Sequence, residues 1–230
     1  MPDYPVYPWP KLEADMKRHW RQGEHVAIVG PTGVGKTTLI SRIVPDTRRY
    51  VVVFVTKLHD TTISKDFPGF ERIEQWPPSI HQDKVLLWPD IKPGTPIREV
   101  YVKQRDVIQR ALDKIIHELN WCLVFDEQHY ICHDLKLTPE NTMFQHQGRS
   151  SGLSIVNGCQ RPAWVPLVTF SGSTHSFIWR TTLKADVQRL SDLGGVDKRE
   201  LEANMMTLGK HEFVYVNSRT GQAVRSQVER

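Results

Sequence analysis

Cysteine is scarce in this 230-residue chain. Cys122, Cys132 and Cys159 are an odd, sparse set that excludes a disulfide framework and fits a reducing compartment such as the cytoplasm. Cys122 and Cys159 fall inside candidate strands and read as buried packing residues. Taken with His129 and His133, Cys122 and Cys132 do not follow a usual zinc spacing. Long apolar runs are also missing: no stretch reaches the ~18 residues that a membrane-crossing helix needs. Met1–Pro10 is rich in proline and tyrosine and has no basic region followed by an apolar stretch, so a secretory signal is not expected there. There is no internal repeat, no low-complexity tract and no long block of Lys or Arg. What is present is ordinary globular material: 39% hydrophobic and 24% charged residues, in a chain long enough to bury a full core. A net charge of +4 permits a nucleic-acid partner without requiring one.

The hydrophobic pattern alternates between two periods. Pro2, Pro5, Pro8 and Pro10 predict an extended start, followed by a helix over 11–22 that Gly23 ends. His25–Val29, Tyr50–Val55, Lys84–Trp88, Trp121–Phe125 and Leu153–Cys159 read as strands, as do Val168–Phe170 and Ser176–Trp179. Helical spacing predicts a long helix over 98–119, with Tyr101, Arg105, Ile108, Leu112, Ile115 and Leu119 on one face. Shorter helices are expected over 141–147, 183–193 and 198–207, and residues 56–83 read as polar and broken. Phe213–Val216 and Ala223–Val228 bracket Arg219-Thr220-Gly221 as a terminal hairpin. The fold class is therefore α/β with a mostly parallel central sheet and a C-terminal β-hairpin. Residues 1–23 form an extension and helix ahead of one domain over 24–230.

Ligands of such sheets bind at the carboxyl ends of the strands, and three polar features fall there. The first is Gly30-Pro31-Thr32-Gly33-Val34-Gly35-Lys36-Thr37-Thr38, which satisfies the phosphate-binding pattern G-x-x-x-x-G-K-[ST] between a strand and a helix. Its backbone N–H groups suit phosphate oxygens, Lys36 suits the β- and γ-phosphates, and the Thr37 hydroxyl suits Mg²⁺. The second is Asp126-Glu127, closing an apolar strand in the form of a Walker B motif. Asp126 would hold Mg²⁺, and Glu127 would orient or deprotonate an attacking water. That pair points to the P-loop NTPases with an additional strand and a catalytic glutamate. The third is Gln160, placed to touch the γ-phosphate or the attacking water.

Gly30–Thr38, Phe125-Asp126-Glu127, Gly148-Arg149 with Gly152, and Gln160-Arg161-Pro162 resemble the motifs of the FtsK–HerA superfamily of DNA-pumping ATPases. His175–Arg180, Asp186, Arg189-Leu190 and Glu212–Val216 are similar to the downstream part of HerA-like members. The small size most resembles the viral genome-packaging ATPases of that superfamily. The resemblance implies ATP with Mg²⁺ as cofactors, double-stranded DNA as the moved polymer, and a homo-oligomeric ring, usually a hexamer. It also implies work in the host cytoplasm against a capsid vertex or portal component. It further implies an arginine acting on the neighbouring subunit's nucleotide, for which Arg149, Arg161 and Arg180 are candidates. Arg149 is favoured, because a residue before the glutamine strand is expected near the nucleotide edge of the sheet. Trp76, Trp88, Trp164 and Trp179 could stack on bases, and Lys57, Lys65, Lys136 and Lys184 could meet phosphates. Competing readings are a conjugation or filamentous-phage assembly motor and a small-molecule kinase or nucleotide switch. The last leaves Glu127 and Gln160 without a role.

Overall fold

A computed structural model of the chain describes residues 3–79, 81–190 and 193–228. The elements in order are α1 (Trp9–His19), β1 (His25–Val29), α2 (Lys36–Ile43), β2 (Tyr50–Phe54), α3 (Ile63–Asp66), β3 (Glu71–Ile73), β4 (Lys84–Leu87) and α4 (Ile97–Ile115). Then come β5 (Trp121–Phe125), a π-helical turn over Tyr130–Asp134, α5 (Thr138–Gln147), a 3₁₀ turn over Gly148–Ser151 and β6 (Ser154–Cys159). The chain closes with α6 (Val168–Ser171), β7 (Ser173–Trp179), α7 (Lys184–Leu190), α8 (Lys198–Met206), β8 (Glu212–Asn217) and β9 (Gln222–Gln227). One nine-stranded sheet has the order β3-β4-β2-β5-β6-β1-β7-β8-β9. Neighbours from β3 through β7 are parallel, and β7–β8 and β8–β9 are antiparallel.

The central strands are buried on both faces, as their nearly unbroken apolar runs require. Alternate residues split between two layers. Val26 and Ile28 of β1 pack with Leu12, Met16 and Leu39 of α1 and α2. Ala27 and Val29 face the opposite side, with Leu190, Leu201 and Met205 of α7 and α8. On that same side of the sheet, Leu123, Phe125 and Ile155 meet Ile108, Leu112 and Ile115 of α4. The exposed edge of β9 is covered by the N-terminal segment, where Tyr7 N donates to Arg225 O at 2.8 Å and Arg225 N to Pro5 O at 2.9 Å.

Several expectations are revised. The first helix begins at Trp9 and includes Pro10, since proline in the first turn lacks only an N–H that has no helical partner anyway. Gly23 lies beyond the helix end, in the turn before β1. The 56–83 segment contains α3 and the short edge strand β3. On α4 the buried stripe runs Val100, Gln104, Ile108, Ala111, Leu112 and Ile115, while Tyr101, Arg105 and Leu119 are outside it. Val168–Phe170 is helical despite its β-rich composition. It belongs to the return path to β7, which runs parallel to β6, and such a path must cross back rather than add a strand. Pro2, expected in the extended start, and Ser191 and Asp192, expected in the helix over 183–193, lie outside the described residues.

The additional strand is β6, inserted between β1 and β5. Its Gly158 lies against the end of β5: a Cβ there would stand 2.4 Å from the carbonyl oxygen of Asp126. Gly158→Ala should therefore force the β5 end outward. The expected result is a Tm lower by roughly 2–10 °C, from about 1–3 kcal/mol of overpacking, with weakened nucleotide binding. A melting curve within about one degree of wild type would show that this backbone contact has slack.

Candidate functional site

The parallel register brings the ends of β1, β5 and β6 to one edge. β1 ends in the phosphate-binding loop, where Gly33 and Gly35 have φ of +79° and +113°, angles that side-chain-bearing residues rarely adopt. Gly35 is the N-cap of α2, so the helix's first N–H groups open onto the site. Lys36 is 9% exposed, and its Nζ donates to the carbonyls of Gly30 at 2.8 Å and Pro31 at 3.0 Å. Burial lowers its pKa, against the pull of Asp126 and Glu127. The ammonium thus rests on carbonyl oxygens, ready to exchange them for a charged oxygen.

Thr37 Oγ1 lies 3.1 Å from each carboxylate oxygen of Asp126, to which it donates. A hydroxyl and a carboxylate converging at this point are the hard oxygen donors that Mg²⁺ takes. Beside them, Thr32 Oγ1 donates to Gln160 Oε1 at 2.9 Å, and Gln160 Nε2 donates to Glu127 Oε2 at 2.6 Å. The chain Thr32–Gln160–Glu127 therefore links the phosphate loop to the acid at the end of β5. Burial raises the Glu127 pKa; the Gln160 hydrogen bond and the Lys36 charge oppose it.

All these groups line one cleft of about 1060 Å³. Six further lining residues escaped the sequence reading as part of this site: Thr56, Lys57, Tyr130, His211, Gln227 and Val228. Lys57 follows an apolar strand, so the rule that singled out Gln160 also fits it, yet it read only as a nucleic-acid contact. Its Nζ donates to Asp60 at 3.1 Å. Burial pushes the Asp60 carboxyl up, but donors on Thr62, Lys57 and Ile63 outweigh it and hold the pKa at about 2. Tyr130 donates to Gln104 Oε1 at 2.5 Å, and Gln104 Nε2 donates to the Thr56 carbonyl at 2.7 Å, tying the π-turn to the end of β2. His211, Gln227 and Val228 come from distant sequence, and no local pattern marks them.

The arginines separate. Arg149 is the second residue of the 3₁₀ turn before β6, beside Gly23 at the entry to β1, and is exposed. That is the sheet edge opposite the phosphate loop, because β6 crosses the sheet between Arg149 and Gln160. The expected position of Arg149 near the nucleotide edge is therefore corrected. Arg161 Nε donates to buried Asp186 at 2.7 Å and stacks on Trp164, so it orders the turn after Gln160. Arg180 is exposed at the end of β7. Trp76 and Trp179 are core residues, Trp88 carries Arg72 over its ring, and Trp164 is 55% exposed.

No protein-family model and no curated protein sequence matches the chain. Solved structures do. The genome packaging NTPase B204 of Sulfolobus turreted icosahedral virus 2, in complex with AMPPCP, aligns with a TM-score of 0.63 at 16% identity, covering 88% of this chain and 96% of its own. The DNA-packaging ATPase B204 of Sulfolobus turreted icosahedral virus gives 0.64 at 15% identity over 91% and 100%. The pCW3 conjugation coupling protein TcpA gives 0.53 at 13% identity, over 90% of this chain but 60% of that one. At these identities the likeness establishes the fold, a P-loop NTPase fold, and it agrees with the FtsK–HerA resemblance of the motifs.

Two substitutions examine the Glu127–Gln160 pair. Glu127→Gln should retain nucleotide binding and lose turnover by ~10²-fold or more, since the amide keeps the size and removes the base. A base must be ionised, so wild-type turnover should fall as pH drops through the raised Glu127 pKa, above the ~4.3 of an ordinary glutamate. Gln160→Ala removes a hydrogen bond that holds this pKa down in the nucleotide-free cleft, so the acid limb of its residual kcat/KM should move to higher pH. An acid limb unmoved or shifted downward would place the base elsewhere.

Proposed function

We propose that this chain is an ATP-driven motor that translocates double-stranded DNA and packages a viral genome into a capsid. The observation that carries the reading is one cleft holding Lys36, Thr37–Asp126 and Thr32–Gln160–Glu127, on a fold that matches the genome-packaging NTPases nearly end to end. The coupling protein TcpA and the type VII secretion ATPase EccC of Thermomonospora curvata share the fold as parts of longer chains, with 60% and 37% of their lengths covered.

The chemistry follows from the cleft. Lys36 exchanges the Gly30 and Pro31 carbonyls for the β- and γ-phosphates of ATP. Thr37 and Asp126 would hold Mg²⁺, which when bound neutralises phosphate charge. A γ-phosphate beside Thr32 competes for the Thr32–Gln160–Glu127 chain and frees the Glu127 carboxylate. Glu127 takes a proton from water, the water oxygen bonds to the γ-phosphorus, and the bond to the β–γ bridging oxygen breaks to leave ADP and phosphate. Coupling each turnover to the Gln160 turn transmits it to Arg161, Asp186 and α7.

The working form is a homo-oligomeric ring, a hexamer, acting in the cytoplasm at a capsid vertex or portal component. Among the described residues no helix is long and apolar enough to cross a membrane. Arg149 is exposed and cannot reach its own phosphate loop from the opposite sheet edge, so the arginine role that the resemblance implies would fall to it only at the neighbouring subunit's nucleotide. Mixing Arg149→Ala with Glu127→Gln subunits should restore part of the activity, because some interfaces then carry both intact halves. Mixed rings verified by mass measurement that stay inactive would remove the trans role.

The motor reading is examined by ATP turnover against duplex DNA at two salt concentrations. Stimulation is expected at low salt, fading as salt rises with a log–log slope of about −0.9 per phosphate contact. Random and homopolymeric duplexes should act alike, since phosphate contacts carry no base information. A flat response at low salt, from assembled protein that binds ATP, would overturn DNA translocation in favour of a small-molecule kinase or nucleotide switch.

A further inference from the structure

The groups suited to the terminal phosphates sit to one side of the cleft. Asp126, Glu127 and Gln160 come from β5 and β6, which lie on one flank of β1. On the other flank run β7, β8 and β9, and the same cleft is walled there by His211, Gln227 and Val228. His211 immediately precedes β8, and Gln227 ends β9; because these strands are antiparallel, both residues meet at the edge where the phosphate loop lies. The loop carrying His211 is fastened on one side to the phosphate loop and on the other to β7. His211 Nδ1 is 3.2 Å from the Val34 carbonyl oxygen, and Nε1 of the buried Trp179 at the end of β7 donates to the His211 carbonyl at 3.3 Å.

We propose that His211, Gln227 and Val228 form the nucleoside subsite of this cleft and make it prefer adenine to guanine. The inference deepens the reading of the cleft as an ATP site and rests on it. With the β- and γ-phosphates directed toward Lys36, Glu127 and Gln160, the rest of a nucleoside triphosphate has to extend along the loop past Val34 and Thr38, toward the hairpin. The tautomer of His211 then supplies selectivity. A carbonyl oxygen only accepts, so Nδ1 carries the hydrogen in the contact with Val34, and Nε2 of the neutral ring is an acceptor. An acceptor suits the exocyclic amine of adenine and repels the carbonyl oxygen that guanine has at the same position. The Gln227 amide can both donate and accept along the base edge, and Val228 offers an apolar wall that packs against the core.

The experiment is equilibrium binding of ATP, GTP and inorganic triphosphate to wild type, His211→Phe and Gln227→Ala. Phenylalanine keeps a flat ring and removes both nitrogens; Gln227 is exposed, so its truncation leaves the fold intact. Wild type should favour ATP over GTP. Each variant should bind ATP about tenfold more weakly, as expected for one lost hydrogen bond to a buried ligand edge. The ATP-to-GTP ratio should fall toward one, and affinity for inorganic triphosphate should stay unchanged. Wild-type ATP affinity and selectivity in both variants would overturn the subsite, as would equal losses for ATP and triphosphate, which would mean a damaged phosphate loop. DNA stimulation of turnover is read on the same samples. If it is absent while base selectivity follows the variants, the motor reading fails and the subsite stands; if it is present while selectivity ignores them, the reverse holds.

Discussion

Side-by-side parallel pairing of β5, β6 and β1 is the constraint on which the site depends. Parallel strands end on the same edge, so the phosphate loop, Asp126-Glu127 and Gln160 arrive together without any contact between them in sequence. The register is tight. Phe125 and Ala27 both lie opposite Asn157, which leaves Gly158 one step from the carbonyl of Asp126. A one-residue slip would turn every inward side chain of β6 to the other layer and draw Gln160 away from Glu127.

Electrostatics at that edge suit a polyanion with a divalent cation. Lys36 is buried with only carbonyl oxygens for direct partners, a neutral substitute for phosphate. Asp126 is engaged by the Thr37 hydroxyl, and Glu127 by the Gln160 amide. None of the three makes an ion pair with another. The Lys36 ammonium can trade its carbonyls for phosphate oxygens, while the Asp126 carboxylate and Thr37 hydroxyl suit a divalent cation and not the anion itself. Lys57 behaves differently: Asp60 already pairs with it, and Asp60 is itself fixed by Thr62 and Ile63. Its charge is therefore committed to the loop after β2 rather than free within the cleft.

The two flanks of β1 divide the labour. The flank of β6, β5 and β2 carries acids and amides and faces the phosphate loop. The flank of β7, β8 and β9 carries Trp179 and the hairpin and holds the loop from behind. Asp186 serves the first flank from a distance, accepting from Arg161 Nε and the Ala163 backbone N–H, so the turn after Gln160 is bound to α7. Any movement of Gln160 is thereby felt at α7 and the surface beside Trp164.

The phosphate loop, the acidic end of β5 and Gln160 were legible in the sequence because each is local: a few adjacent residues, bounded by apolar runs whose period identifies a strand or a helix. The alternation of strands and helices was legible for the same reason. Where local composition and topology disagreed, topology prevailed. Val168–Phe170 has the residues of a strand but lies on the return path between parallel strands, and Pro10 sits where a helix's first turn tolerates it. Arg149 shows the limit most plainly. It is eleven positions from Gln160 in the numbering and lies at the opposite edge, because the strand between them spans the sheet. The approach of His211 to Val34, and the presence of Gln227 in the same cleft, were decided only by tertiary structure, since they depend on two antiparallel strands added beyond β7 and on no pattern that a short window of sequence contains.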